Sequence, residues 1–164
     1  MTGSGNLIPC RAAELRVPFW IDGDGVERGP LRLAELGAGV KILYCFQHWC
    51  QGCHSIGFPM LKHLVAQFSN RVGFAVVQTV FEGGHVNTVE KLRETQLRYD
   101  LVLPFGHDPD QGGQGLSTVM QDYRTNGTPW FIVINPNGEI VFSDFHIDDW
   151  AQGNWLEELE RPPA

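Results

Sequence analysis

The chain has 164 residues, 43% hydrophobic and 19% charged, which is the balance of a globular domain with its own core and not of a disordered chain. Its formal net charge of −7 argues against a nucleic-acid binder, which needs a basic face, and against docking on an anionic membrane. No run of about 18 apolar residues is present, so no membrane-spanning helix is expected.

Residues 1–16 read as an N-terminal extension to a single domain spanning 1–164. The extension lacks a basic stretch followed by an apolar core, the pattern of a secretory leader, and Leu7-Ile8-Pro9-Cys10 fails as a lipoprotein signal for the same reason. The expected compartment is the cytoplasm, where cysteines stay reduced unless they are at work. "VPFWIDGDGVERGPLRL", from Val17, reads as two short strands around Gly23-Asp24-Gly25. "VKILYCF", 40–46, is apolar without alternation, as in a strand buried on both faces.

From Ser55 the spacing turns helical: Ile56, Met60, Leu61, Leu64, Val65 and Phe68 form one stripe, with Pro59 expected to kink it. "VGFAVVQTV", 72–80, is a second buried strand. After Gly83 and Gly84, Asn87 and Glu90 have the spacing of a capping box, opening a helix with Val89, Leu92, Gln96 and Tyr99 on one face. "LVLPFGHD" predicts a short strand, and Leu116, Val119, Met120 and Tyr123 a helix. "PWFIVINPNGEIVFSDFHI" is a hairpin turning at Pro136-Asn137-Gly138. Residues 146–164 make a C-terminal helix and tail, with Asn154 and Glu157 as its cap and Pro162 and Pro163 as its stop. Strands alternating with helices imply a mainly parallel sheet covered on both faces, with an antiparallel pair at its end. In such a sheet chemistry sits at the carboxyl ends of the strands.

The cysteines stand at 10, 45, 50 and 53, the crowded distribution of a site and not of a disulfide framework. Cys10 and Cys45 read as ordinary thiols. Cys50-Gln51-Gly52-Cys53 has the spacing of a redox dithiol; with His54 it also has that of c-type haem attachment, and a zinc half-site fits too. The pair falls where the 40–46 strand ends and a helix begins. There the unpaired N–H groups and the helix dipole stabilise a thiolate, which titrates at about 3.5–7.5 instead of about 8.5. Cys50, at the outer edge of the turn, is the expected nucleophile. Cys53, one turn in, is the expected resolving thiol, and Gly52 lets the backbone come close.

Trp49-Cys50-Gln51-Gly52-Cys53 after a buried strand, and Gly127-Thr128-Pro129 before another, resemble the two signatures of the thioredoxin superfamily. Over roughly residues 17–145 the chain is similar to the TlpA-like, or redoxin, branch. The resemblance implies an α/β thioredoxin-like fold: a central mixed sheet with helices on both faces, an N-terminal strand pair, and an inserted helix and strand before a cis-proline. It implies that Pro129 is that cis-proline facing the dithiol, and that Thr128 pairs backbone-to-backbone with substrate. Trp49 joins them as a substrate-binding residue, with Trp130 placed to do likewise. The chain departs from the branch at Gly52 and Ile56, where proline and glutamate are common, and its helix proline, Pro59, comes one residue late. Tyr44 stands where thioredoxin has a buried acid, so the usual proton acceptor for Cys53 is missing. His54, Glu82 or water are the candidates for that proton transfer.

The expected activity is therefore thiol–disulfide exchange on a disulfide-bearing protein or small molecule, by a monomer drawing electrons from a thioredoxin- or glutathione-type donor, with no metal or organic cofactor. Haem needs export and an axial ligand. Zinc needs four ligands, and Cys45, Cys50, Cys53 and His54 converge only by distorting strand and helix. A peroxiredoxin-like peroxidase is the nearer alternative, but "YCFQHW" lacks the proline and hydroxyl before its cysteine. A thioredoxin fold serving only as a binding module is the other. Among the remaining histidines, His48 and His107 read as solvated loop residues beside the site and His146 as structural. His85 and Glu82 lie on a loop at the sheet's functional end, where they would face substrate.

Overall fold

In the computed structural model, which describes residues 8–110 and 115–162, the long apolar runs pair at the centre of one sheet. Its strands are β1 (Cys10–Arg11), β2 (Phe19–Ile21), β3 (Glu27–Arg28), β4 (Val40–Phe46), β5 (Val72–Thr79), β6 (Phe105–Asp108), β7 (Trp130–Ile134) and β8 (Glu139–Asp144). The helices are α1 (Phe58–Phe68), α2 (Glu90–Arg98), α3 (Thr118–Tyr123) and α4 (Trp155–Glu160). The strand order is β1-β8-β7-β4-β5-β6-β2-β3.

Every residue of β4 is buried because the strand is covered on both faces. Ile42, Tyr44 and Phe46 point into a core shared with Phe58, Leu61 and Leu64 of α1, Leu92 of α2, and Trp155 and Leu156 of α4. Leu43 and Cys45 point the other way, toward Val119 and Tyr123 of α3 and the segment carrying Ala12, Leu15 and Val17. Each large apolar side chain so buried contributes about 1.5–3 kcal/mol. The mixed α/β sheet covered on both faces is the architecture that the thioredoxin resemblance implies.

Among the described residues, parallel pairing is confined to β4–β5 and β5–β6. The β7–β8 hairpin inserts antiparallel beside β4 at the middle of the sheet, and β2 pairs antiparallel with β6. The expectation of a mainly parallel sheet is thus corrected to a mixed one. Alternation along the chain does not reveal which strand the hairpin will join. Within the N-terminal extension, β1 pairs antiparallel with β8 as an added edge strand; residues 1–7 of that extension and Pro163 lie outside the described residues.

Local expectations fail where side chains reach across the fold. Ile56 is 54% exposed and Phe58 fully buried, because the turn from Cys53 to Gly57 is a π turn that rotates the stripe ahead of Pro59. Leu116 lies before α3 and is exposed. Asn154 precedes α4 but makes no capping bond with its side chain, and Glu157 pairs with Arg71 instead.

Candidate active site

The chain leaves β4 at Phe46, turns through Gln47, His48 and Trp49, and enters a helix at Gln51. The Cys50 N–H closes the turn on the Gln47 carbonyl at 3.0 Å. Cys50 is half-buried and Cys53 fully buried. The two are joined as a disulfide with a Cα separation of 5.3 Å. The Cys53 N–H points at the Cys50 sulfur at 3.1 Å, so the first turn of the helix directs a backbone donor to the outer sulfur and none in return to the inner one.

Three buried amide side chains hold the turn that carries Cys50. Gln78 Oε1 accepts the His48 N–H at 3.0 Å, and Asn87 Oδ1 accepts the Trp49 N–H at 3.0 Å. Gln47 Oε1 accepts the Phe81 N–H at 3.1 Å. Asn87 Nδ2 then donates to the Glu82 and Gly83 carbonyls at 3.1 and 3.2 Å. The loop after β5 is thereby tied to the loop after β4. Asn87 is not the cap of α2, whose N-cap is Val89. The i, i+3 spacing to Glu90 suggested a local partner, but the side chain turns to the dithiol loop. None of the three amides was legible as a site residue; the available signal was a glutamine at 78 inside an otherwise buried apolar strand.

Trp49 is 45% exposed. Its ring lies over Gly83, where a Cβ would come within 2.4 Å of the indole and the backbone has φ 61°, a region open to glycine at little cost. Across the dithiol, the Thr128–Pro129 peptide is cis. The Pro129 ring packs on the helix of the cysteines: a Cβ built on Gly52 would be 3.6 Å from Pro129 Cδ, and one on Gly57 would be 2.9 Å from Pro129 Cβ. Thr128 is partly exposed beside it. Trp130 is buried, its indole N–H donating to Ser143 Oγ at 2.8 Å, and Phe145 stands edge-on to it with ring centroids 4.7 Å apart. Pro129 therefore packs on the helix of the cysteines, Trp49 precedes Cys50 with its ring over Gly83, Thr128 is partly exposed next to Pro129, and Trp130 turns into the core.

The proton-transfer candidates are placed less favourably. His54 Nε2 lies 2.6 Å from the His48 carbonyl, which can only accept, so that nitrogen carries the hydrogen. Nδ1 then accepts from the Tyr99 hydroxyl at 2.5 Å. Burial holds the His54 imidazole below its usual range, keeping it neutral. Both ring nitrogens are engaged. Glu82 is exposed and gives its backbone carbonyl to Asn87. Tyr44 is fully buried and its hydroxyl donates to the Cys53 carbonyl at 2.9 Å. Burial pushes its phenol well above the ordinary value, so it stays a donor.

The other thiols stand apart. Cys45 is buried on the far face of β4, and burial pushes its thiol far up; Cys10 is partly exposed on β1. His107 lies on β6, not on a solvated loop, and its Nδ1 accepts from Gln78 Nε2 at 3.1 Å. His48 is half-buried against the His54 ring, while His85 and His146 are exposed. Among the described residues, no group of His, Cys, Asp or Glu is arranged to hold a metal ion, and no helix is long and apolar enough to cross a membrane.

No family model and no curated protein matches the sequence. Solved structures do. A thioredoxin-like superfamily protein aligns at 26% identity and TM-score 0.74 over 92% of each chain. A thiol-disulfide isomerase from Corynebacterium glutamicum aligns at 26% identity and TM-score 0.75, over 90% of this chain and 96% of that one. The thioredoxin domain of a thiol-disulfide oxidoreductase from Bacteroides vulgatus, at 17% identity and TM-score 0.64 over 94% and 97%, shares the fold.

Proposed function

The chain belongs to the thioredoxin superfamily, and on that premise we propose that it is a thiol–disulfide oxidoreductase of the TlpA-like, or redoxin, branch that works through Cys50 and Cys53. The observation that carries this reading is the joined cysteine pair at a helix N-terminus, one sulfur half-buried and one fully buried.

Cys50 attacks as thiolate, favoured by the helix terminus and the Cys53 N–H. A Cys50–partner sulfur bond forms, the partner's own disulfide breaks, and its second sulfur leaves with the electron pair and takes up a proton. Cys53 then loses its proton to solvent and attacks the Cys50 sulfur. The Cys50–Cys53 bond forms and the first partner sulfur leaves. Two electrons have passed to the partner, and the chain is left as the disulfide. Trp49, Thr128 and Pro129 form the surface on which the partner's disulfide-bearing segment rests. In a reducing compartment such as the cytoplasm a thioredoxin- or glutathione-type donor restores the dithiol, and the cycle runs as a reductase.

Insulin reduction with dithiothreitol as electron source tests the reading. The chain accelerates precipitation of the reduced insulin B chain, and Cys50→Ser abolishes the effect. Peroxide turnover that survives Cys53→Ser would assign a peroxidase instead, and absence of any reversible Cys50–Cys53 disulfide would leave a binding module.

A further inference from the structure

Tyr44 places a hydroxyl in the middle of an apolar cluster. Its ring packs on Phe58 and Phe131, with centroids 4.8 Å away in each case, and lies parallel to Phe46 at 6.5 Å. The neighbours are phenylalanines, so a phenylalanine would fill the same space. The hydroxyl is not needed for packing. It is used on one atom, the carbonyl oxygen of Cys53, at 2.9 Å.

The backbone is shaped to admit it. In a regular α-helix the Cys53 carbonyl would accept from Gly57, four residues on. Here it accepts from the N–H of Phe58, five residues on, within the π turn Cys53–Gly57. Gly57 completes the opening, because a Cβ there would stand 2.0 Å from the Tyr44 oxygen. Widened turns of this kind arise where a side chain enters the helical ladder.

We propose that Tyr44 is a positioning residue for the resolving thiol: its hydroxyl fixes the carbonyl of Cys53 and through it the direction of the Cys53 sulfur. The carbonyl sets the peptide plane that follows Cys53, and so the backbone angle from which its Cβ and sulfur project. Resolution requires that sulfur to approach in line with the Cys50–partner bond, and small errors in such an approach lower rates steeply. Cys50 reaches its partner from the outer edge of the turn and does not depend on this plane. Because burial keeps the phenol protonated, it orients without exchanging a proton. The inference rests on the assignment of Cys50 as attacker and Cys53 as resolver.

The test uses the reduced full chain and dithiodipyridine, an aromatic disulfide that releases one absorbing pyridinethione at each step. In the first release Cys50 bonds to one pyridyl sulfur and the other leaves. In the second, Cys53 bonds to Cys50, the Cys50–pyridyl bond breaks, and the departing thiolate takes up a proton as the thione. Tyr44→Phe leaves the rate of the first release within about twofold and slows the second by about tenfold. The pH midpoint of the second release does not move. Phe131→Leu, which loosens the same cluster and leaves the hydroxyl in place, lowers the melting temperature without slowing the second release. Equal slowing by both variants, or an unchanged second release in Tyr44→Phe, overturns the positioning role. A moved pH midpoint overturns it too, in favour of a proton carrier. If the wild-type chain shows no second release, the attacker–resolver assignment has failed, an outcome distinct from all of these.

Discussion

At the scale of single residues, the two site cysteines differ in burial and in hydrogen bonding. Cys50 is half-buried and receives the Cys53 N–H, whereas Cys53 is enclosed. Iodoacetamide at neutral pH therefore modifies Cys50 in the reduced chain well before Cys53, read by peptide mass mapping. First modification at Cys53 or Cys10 would reverse the assignment. Asn87 is the other residue with a sharp expectation. Asn87→Ala takes the partner from the Trp49 N–H and from the Glu82 carbonyl, while the Gly83 carbonyl keeps the Val86 and Asn87 backbone N–H groups; an unsatisfied buried polar group costs about 1–3 kcal/mol. Urea unfolding registers that loss, Trp49 fluorescence changes, and KM for a disulfide substrate rises. A loss below about 0.5 kcal/mol, the range of surface substitutions, with fluorescence unchanged, would mean that the loop holds itself without the amide.

At the scale of elements, the loop between β5 and α2 acts as a floor for the indole of Trp49. Gly83→Ala adds a methyl group that meets the ring and sits at φ 61°, a backbone region costing a non-glycine residue about 1–3 kcal/mol. The expected result is a more exposed, red-shifted tryptophan emission together with lower stability; an unchanged spectrum would separate the loop from the site. Much of this level was legible beforehand. The runs at 40–46 and 72–80 read as buried strands because β-branched, aromatic and other apolar residues dominate them without alternation; of their few polar residues, Lys41, Gln78 and Thr79, the glutamine holds the dithiol turn. The hairpin was visible in Asn137-Gly138, and the dithiol in its spacing. What escaped depends on distant partners. Asn87 has the spacing of a cap but turns to the dithiol loop, and the stripe that included Ile56 assumed an α-helical period where Tyr44 meets a π turn. The seat of β7 beside β4 is decided by pairing across the fold, which no local window contains.

At the scale of the molecule, burial leaves its mark on the pH dependence of stability. His48, His54 and His107 are each held below their usual range, first of all by desolvation. In the unfolded chain they titrate near 6.5, so below that pH the unfolded state binds more protons than the folded one. Their contribution is complete above about pH 6.5 and is lost as pH falls through the folded values. Asp108, raised by burial, has the opposite sign: it favours the folded state while protonated and loses that contribution as pH rises through its folded value. The comparison with His54→Phe, which retains the stacking on Phe58 and Tyr99, cancels the Asp108 effect. The stability advantage of the wild-type chain over this variant shrinks as pH is lowered from about 7.5 to about 5.5. A constant advantage would show that the His54 pKa is the same in both states.

The central claim is that Cys50 attacks and Cys53 resolves, and trapping tests it most directly. In Cys53→Ser the outer thiol keeps its place at the helix terminus, but the thiolate that displaces the partner is gone. Expressed in cells and alkylated on lysis, this variant accumulates mixed disulfides that run as heavier bands on a non-reducing gel and vanish with dithiothreitol. Cys50→Ser, whose remaining sulfur is enclosed, accumulates few. Equal trapping by the two variants, or trapping by Cys50→Ser alone, would contradict the account.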